Sequence, residues 1–321
     1  MIAGLELTGV GVTAGPTAIV HDVSFSLAPG ERVGLIGESG SGKSLTALAI
    51  MGLLPEELSG RGTVRLDGRD LTTMSDRQLG ALRGDRLAMV FQEPMTALNP
   101  LMRVGRQVAE ALRRHRDLSR AEVAARVGQL LARVELPDPA SAGRAYPHQL
   151  SGGQRQRVML AMALACDPAV LICDEPTTAL DVTVQARMLA LIDRLVAEEG
   201  SALLFITHDL AVVSGRCERV LVMYGGHIVE AGPTAAVFAL PRHPYTAGLL
   251  QASAATTDPS LLDGRGRLPT IPGTVPAAGH FPSGCVFRTR CQRATDVCET
   301  VPPLAGADRQ VACWHPIEAP P

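Results

Sequence analysis

Short apolar runs and longer amphipathic stretches take turns along the first three-quarters of the chain. Arg32–Ile36, Thr63–Leu66, Leu87–Phe91, Val170–Cys173 and Ala202–Thr207 are apolar runs of strand length. Ser44–Leu54 reads as an apolar helix. This alternation predicts an α/β fold with a mostly parallel sheet. Arg219–Tyr224 and His227–Glu230, separated by Gly225-Gly226, predict a hairpin. From Leu101 to Ala165 the strand signals vanish, and Arg106–Arg116 and Ser119–Val134 turn helical. A helical subdomain over about 101–165, inserted between two parts of the sheet, is expected. After about Pro241 proline and glycine become frequent, and Pro269, Pro272, Pro276 and Pro282 break the chain into extended segments around one short helix near Tyr245–Ala252. The expected division is therefore 1–240 and 241–321, the second part being an extension too poor in apolar periodicity to bury a large core.

A length of 321 residues and an apolar share of 46% suit a globular protein of two or three folding units. Aromatic residues make up only 3%, so the core must rest on Leu, Val, Ala, Ile and Met. A net charge of −2 argues against a protein built to coat nucleic acid. The longest apolar run, Val158–Cys166, stops at Asp167-Pro168, well short of the roughly 18 residues a membrane span needs. No secretory signal is visible at the N-terminus, so a cytoplasmic location is expected.

Lys43 is the only lysine in the chain, although Lys and Arg together number 30. It stands in Gly37-Glu38-Ser39-Gly40-Ser41-Gly42-Lys43-Ser44, which fits the phosphate loop of nucleotide triphosphatases. A compact ammonium on a flexible stem can reach between β- and γ-phosphates, whereas a guanidinium is bulkier and presents a fixed fork. The glycines let backbone N–H groups approach the phosphates, and a helix starting near Lys43 aims its positive end at the same charge. The strand before and the helix after supply the context this motif requires.

A second phosphate-handling element is Val170-Leu171-Ile172-Cys173-Asp174-Glu175, an apolar strand ending in two carboxylates where ligands of a parallel sheet bind. Asp174 would hold Mg²⁺ with the Ser44 hydroxyl, and Glu175 would orient or deprotonate the attacking water. Two acids capping a strand would by themselves mean little; the upstream phosphate loop gives them their meaning. The third element is Leu150-Ser151-Gly152-Gly153-Gln154-Arg155-Gln156-Arg157, a second anion cradle at a helix N-terminus. One nucleotide does not need two cradles from one chain, which points to a head-to-tail dimer.

With this Leu-Ser-Gly-Gly-Gln string the chain resembles the ATP-binding-cassette family. The resemblance implies a P-loop NTPase cassette with ATP and Mg²⁺ as cofactors and Gln154 as part of the signature turn. It also implies that Gln92 is the glutamine contacting Mg²⁺ and water. Asp181, in Ala179-Leu180-Asp181, would be the aspartate acting across the dimer, and His208 the switch histidine at the γ-phosphate. Members usually stack adenine on an aromatic near residue 12; none occurs here before Phe25, and an aliphatic such as Val12 is expected to take its place.

Further strings narrow the resemblance: Phe91-Gln92-Glu93-Pro94-Met95-Thr96-Ala97-Leu98-Asn99-Pro100, Tyr146-Pro147-His148-Gln149-Leu150, Pro241-Arg242-His243-Pro244-Tyr245-Thr246, and Ile271-Pro272-Gly273-Thr274-Val275-Pro276 ahead of Gly284-Cys285. These are similar to the ATPase subunits of oligopeptide and dipeptide importers, a branch that also moves nickel chelates and other small solutes. That likeness implies a partner ATPase subunit, two integral-membrane permeases and an extracytoplasmic substrate-binding protein. It places the chain at the cytoplasmic face of the membrane as a peripheral subunit, with 92–116 bordering a groove for a permease helix. A soluble cassette ATPase acting on nucleic acid is the rival reading; one cassette, no heptad run and no basic surplus argue against it.

Of seven cysteines, Cys166, Cys173 and Cys217 sit in apolar or ordinary helical contexts. Cys285, Cys291, Cys298 and Cys313 crowd the C-terminal end. Their spacing lacks the close pairs typical of zinc, and a reducing compartment disfavours disulfides. A Cys₄ Fe–S cluster tolerates such spacing; zinc and unmetallated thiols stay open. The importer resemblance implies a [4Fe–4S] cluster at these four positions. Arg288, Arg290 and Arg293 interleave with them and either offset a negative cluster or lie solvated.

Overall fold

The structure, a computed structural model, describes residues 4–92, 97–178, 180–257 and 270–318. Glu93–Thr96, Ala179 and Pro269, named above, lie outside the described residues. The chain divides into two compact units. The first comprises 1–5, 27–31 and 65–204, the second 6–26, 32–64 and 205–321.

In the first unit, the strands Leu87–Val90 and Val170–Asp174 run parallel, with Leu87 opposite Val170 and Val90 opposite Cys173. Every residue of both is buried, as expected of parallel strands covered on two faces. Four helices follow one another through the stretch expected to be helical: Val104–His115, Arg120–Arg133, Pro139–Arg144 and Gly152–Ala163. The first buries Val104, Val108, Ala109 and Leu112 at three- and four-residue spacing and leaves its arginines outside. The second begins at Ser119, whose side chain accepts the Glu122 N–H while Glu122 reaches back to the Ser119 N–H. These helices pack on one another, and Gly152–Ala163 also packs on Leu87–Val90 and on the long helix Val182–Glu199.

In the second unit the strand order is Gln310–Val311, His227–Pro233, Arg219–Tyr224, Arg32–Ile36. Arg32–Ile36 pairs parallel with Arg219–Tyr224, Val33 facing Arg219 and Ile36 facing Val222. The hairpin forms where expected, with Tyr224 opposite His227. Its turn needs left-handed backbone at both central positions, and Gly225 (φ 54°) and Gly226 (φ 81°) supply it. The final strand, Gln310–Val311, adds antiparallel to the hairpin and ties the C-terminal end of the chain to it.

Besides the two-residue strands Arg69–Asp70 and Gln310–Val311, two long strands went unread in the pattern: Leu5–Ala14 and Thr17–Leu27. Buried positions run Leu5, Leu7, then Val10, Val12, and Val20, then Val23, Phe25, Leu27. The period of two slips once in each strand, at Gly9 (φ 62°) and Asp22 (φ 48°), in the manner of a bulge. Val12 is fully buried (0% exposed), so its side chain belongs to the core and presents no face to an adenine.

Candidate functional site

The phosphate loop joins the strand Arg32–Ile36 to the helix Lys43–Met51 in the second unit. Only glycine fits its first position, where a Cβ on Gly37 would lie 2.1 Å from the Met223 carbonyl oxygen. The Lys43 ammonium is buried and donates to the carbonyls of Gly37 at 2.8 Å and Glu38 at 3.0 Å. The loop's own carbonyls thus hold the cation where phosphate oxygens would compete for it. Ser41 is buried as well, and its carbonyl accepts the Gly226 N–H at 3.0 Å, tying the loop to the hairpin turn. Ser39, Gly40 and Gly42 complete the loop; Gly42 takes φ 105° as the helix cap, and Ser44 lies in the helix's first turn. His208, in the same unit, is exposed directly after the strand Ala202–Thr207. Asp209 behind it caps the next helix by accepting the Ala211 N–H at 2.9 Å.

The first unit carries the remaining candidates. Asp174 ends its strand and is buried. Glu175 follows at φ 45°, a left-handed conformation costly for a residue with a Cβ. Two donors align its carboxylate: Thr178 Oγ1 at 2.9 Å and Gln92 Nε2 at 3.3 Å, both to Oε2. Gln92 and Glu175 are therefore brought together, although 83 residues separate them.

Ser151 caps the helix Gly152–Ala163: its hydroxyl accepts the Gln154 N–H at 3.3 Å and Gln154 Oε1 accepts the Ser151 N–H at 2.8 Å. Asp181 caps the helix Val182–Glu199 by accepting the Val184 N–H at 2.9 Å. Ser151, Gly152, Gly153, Gln154, Leu180 and Asp181 line one open cleft of about 430 Å³. Two helix N-termini thus face one cavity, an arrangement suited to an anion. Val182, the residue after Asp181, is 82% exposed, an apolar group left uncovered. Elsewhere in this unit the helices Val104–His115, Arg120–Arg133 and Pro139–Arg144 enclose a groove floored by Ala109, Val123 and Val127 and rimmed by Arg106, Arg113 and Arg144.

In the C-terminal segment the thiols of Cys285, Cys291, Cys298 and Cys313 are free. Burial pushes the thiols of Cys285, Cys291 and Cys313 up, Cys313 to about 11, and the neighbouring thiols of the set add to the rise. The sulfurs also accept backbone N–H groups, for example Arg293 N–H to Cys291 Sγ at 3.4 Å. The Cys285 N–H donates to the Cys298 carbonyl at 2.9 Å, which ties two of the four together. Among the described residues no three His, Cys, Asp or Glu side chains converge where a single metal ion would sit. A cubane cluster asks for less convergence, since each thiolate binds a different iron. Cys285 and Cys298 are buried, Cys291 and Cys313 half-buried, and backbone N–H groups reach the sulfurs of Cys285, Cys291 and Cys313, which fits such a donor set.

Sequence reasoning took Arg290 as a charge beside the cysteines or a solvated residue. It is buried, and its guanidinium reaches Glu38 of the phosphate loop at 2.7 Å. No local signal marks this pairing, because the partners stand 252 positions apart in the chain.

A glycine loop with one buried ammonium, a strand ending in paired acids and a Ser-Gly-Gly helix start define a phosphate-loop ATPase of the cassette type. The sequence pattern of the ABC transporter family matches residues 20–178, and that of the oligopeptide/dipeptide transporter C-terminal region matches 229–298. The chain is 48% identical over 307 residues to the probable D,D-dipeptide transport ATP-binding protein DdpD of Escherichia coli, covering 94% of this chain and 92% of that protein. It is 45% identical to the oligopeptide transport ATP-binding protein OppD of Salmonella typhimurium, covering 95% and 90%. Among solved structures, a post-hydrolysis dimer of an ATP-binding cassette bound to ADP and Pi aligns with a TM-score of 0.64 at 29% identity, covering 72% of this chain and 98% of that one. The chain belongs to the ABC transporter family, as an ATP-binding subunit of its oligopeptide/dipeptide branch.

Proposed function

We propose that this chain hydrolyses ATP to drive peptide uptake through a membrane importer, as the catalytic part of a larger assembly. The observation that carries this reading is similarity to peptide-transport ATP-binding proteins along nine-tenths of the chain, cassette and C-terminal region alike. Lys43 and the N–H groups of residues 37–44 would hold the β- and γ-phosphates. Ser44, Asp174 and Gln92 would ligate Mg²⁺, which supplies charge neutralisation on the phosphates when bound. Glu175 takes the proton of the attacking water, its carboxylate aligned by Thr178 and Gln92. His208 would contact the γ-phosphate. Ser151–Gln154 and Asp181 would close the site of a second ATPase subunit, and the same residues of that subunit would close this one.

No described helix is long and apolar enough to cross a membrane. Attachment to the cytoplasmic face would come from two permeases, a helix of which enters the groove floored by Ala109, Val123 and Val127. An extracytoplasmic binding protein would deliver the peptide; nickel or another small solute is the alternative cargo. The division into an ATPase part over 1–240 and an extension over 241–321 is part of this proposal. So is a [4Fe–4S] cluster on Cys285, Cys291, Cys298 and Cys313, which would staple a segment poor in apolar contacts.

Two experiments test this. Deleting the coding region should abolish growth on peptides as sole amino-acid source, and plasmid-borne wild type but not Lys43→Ala should restore it; unimpaired peptide uptake in the deletion strain refutes the reading. Protein purified without oxygen should show broad visible absorption that Cys298→Ser removes; a colourless wild-type preparation refutes the cluster.

A further inference from the structure

Three parts of one phosphate-loop residue are held from outside the loop or by its lysine. The Glu38 N–H donates to the Tyr245 hydroxyl at 2.8 Å. Its carboxylate receives Arg290 Nη1 at 2.7 Å and Nη2 at 3.3 Å, a two-pronged pairing. Its carbonyl accepts the Lys43 ammonium at 3.0 Å and the Ser41 N–H at 3.2 Å. Glu38 is thus the point where the C-terminal segment grips the loop.

Both gripping residues are themselves fixed. Tyr245 is fully buried, and its N–H donates to His243 Nδ1 at 3.0 Å. The His243 N–H in turn donates to the buried Glu230 carboxylate at 2.8 Å. Arg290 donates through Nε to the Pro272 carbonyl at 2.8 Å and lies over the rings of Tyr224 and Phe287 at 5.7 and 5.9 Å. Its main chain is held by the turn that carries Cys291, since the N–H of Arg290 donates to the Phe287 carbonyl at 3.0 Å. A charge so deeply packed and so fully partnered cannot move without moving the loop.

We infer that Arg290 is a positioning residue for nucleotide binding: together with the Tyr245 hydroxyl it fixes Glu38 and holds the phosphate loop in its binding shape, so that ATP affinity depends on the cysteine-bearing segment. This rests on the loop being the ATP phosphate site. Removing the guanidinium frees a carboxylate next to Gly37 and two positions from Gly40, close to incoming negative charge. ATP then has to order the loop and overcome that repulsion, which weakens binding while leaving Glu175 chemistry in place.

The test uses the full chain, with binding of a fluorescent ATP analogue and steady-state hydrolysis as readouts. Arg290→Gln should weaken nucleotide binding about tenfold, the middle of the range for contacting groups in one network. The loss should appear in KM, with kcat within about twofold, and Arg290→Lys should recover part of it. Glu38→Gln combined with Arg290→Gln should bind better than Arg290→Gln alone, since no loose carboxylate remains. Tyr245→Phe, which removes one oxygen and preserves packing, should cost about threefold and decides the matter if Arg290→Gln fails to fold. Binding within twofold of wild type in both Tyr245→Phe and folded Arg290→Gln overturns the inference. Lys43→Ala separates the two readings: if it binds nucleotide normally, the loop is not the phosphate site at all.

Discussion

Glu175→Gln tests the chemistry at its most exposed point. The substitution keeps side-chain length and leaves a carbonyl oxygen where Oε2 stands. That oxygen can still accept from Thr178 Oγ1 and Gln92 Nε2, which now sit at 2.9 and 3.3 Å. Geometry therefore survives, and what disappears is the capacity to take a proton from water. Positioned general bases contribute about 10²–10⁴ in rate, or about 3–5 kcal/mol of barrier. Phosphate release under saturating Mg-ATP should fall at least about hundredfold, with nucleotide affinity unchanged. Sedimentation in Mg-ATP should show a larger dimer fraction, because the closed form is no longer consumed. A second variant guards against a purely conformational explanation. Glu175→Gly removes the cost of φ 45°, a gain of about 1 kcal/mol in unfolding free energy, yet should lose turnover as severely. Turnover within a few-fold of wild type in Glu175→Gln would refute the role of this carboxylate.

Ser151→Ala removes the hydroxyl that accepts the Gln154 N–H, so urea unfolding should lose about 1 kcal/mol, and nucleotide-driven dimerisation should weaken more than that loss explains. Acid sensitivity should come partly from two histidines. Burial lowers His243 to about 3, and burial plus the stacked His21 lowers His227 to about 4. Both folded values lie below the unfolded value near 6.5, so the unfolded chain binds the extra protons. Their contribution is complete above pH 6.5 and is lost as pH falls toward 4 and 3, at up to about 1.4 kcal/mol per pH unit for each residue. His243→Gln should remove one residue's share of the slope between pH 6.5 and 5; an unchanged slope contradicts this assignment.

What could be read from residue order was whatever the chain expresses locally. Arg32–Ile36, Ala202–Thr207 and Arg219–Tyr224 are uninterrupted apolar runs, and the strands have those same limits. The phosphate loop and the Ser151 turn are contiguous strings whose residue types answer directly to anion chemistry. Leu5–Ala14 and Thr17–Leu27 escaped because one irregular residue in each inverts the buried face midway. Val12 was misjudged since a position near residue 12 says nothing of which face a side chain takes, and this one faces inward. The Arg290–Glu38 pair joins opposite ends of the chain, so only the folded topology could reveal it.

The solitary lysine has a practical corollary. A protease that cuts only after lysine has one bond to attack in the whole chain, next to a side chain that is 5% exposed. Digestion must wait for the loop to open, and two fragments then record each opening. The natural composition thus makes the chain a built-in gauge of how often its nucleotide cradle unlatches, with no label to attach.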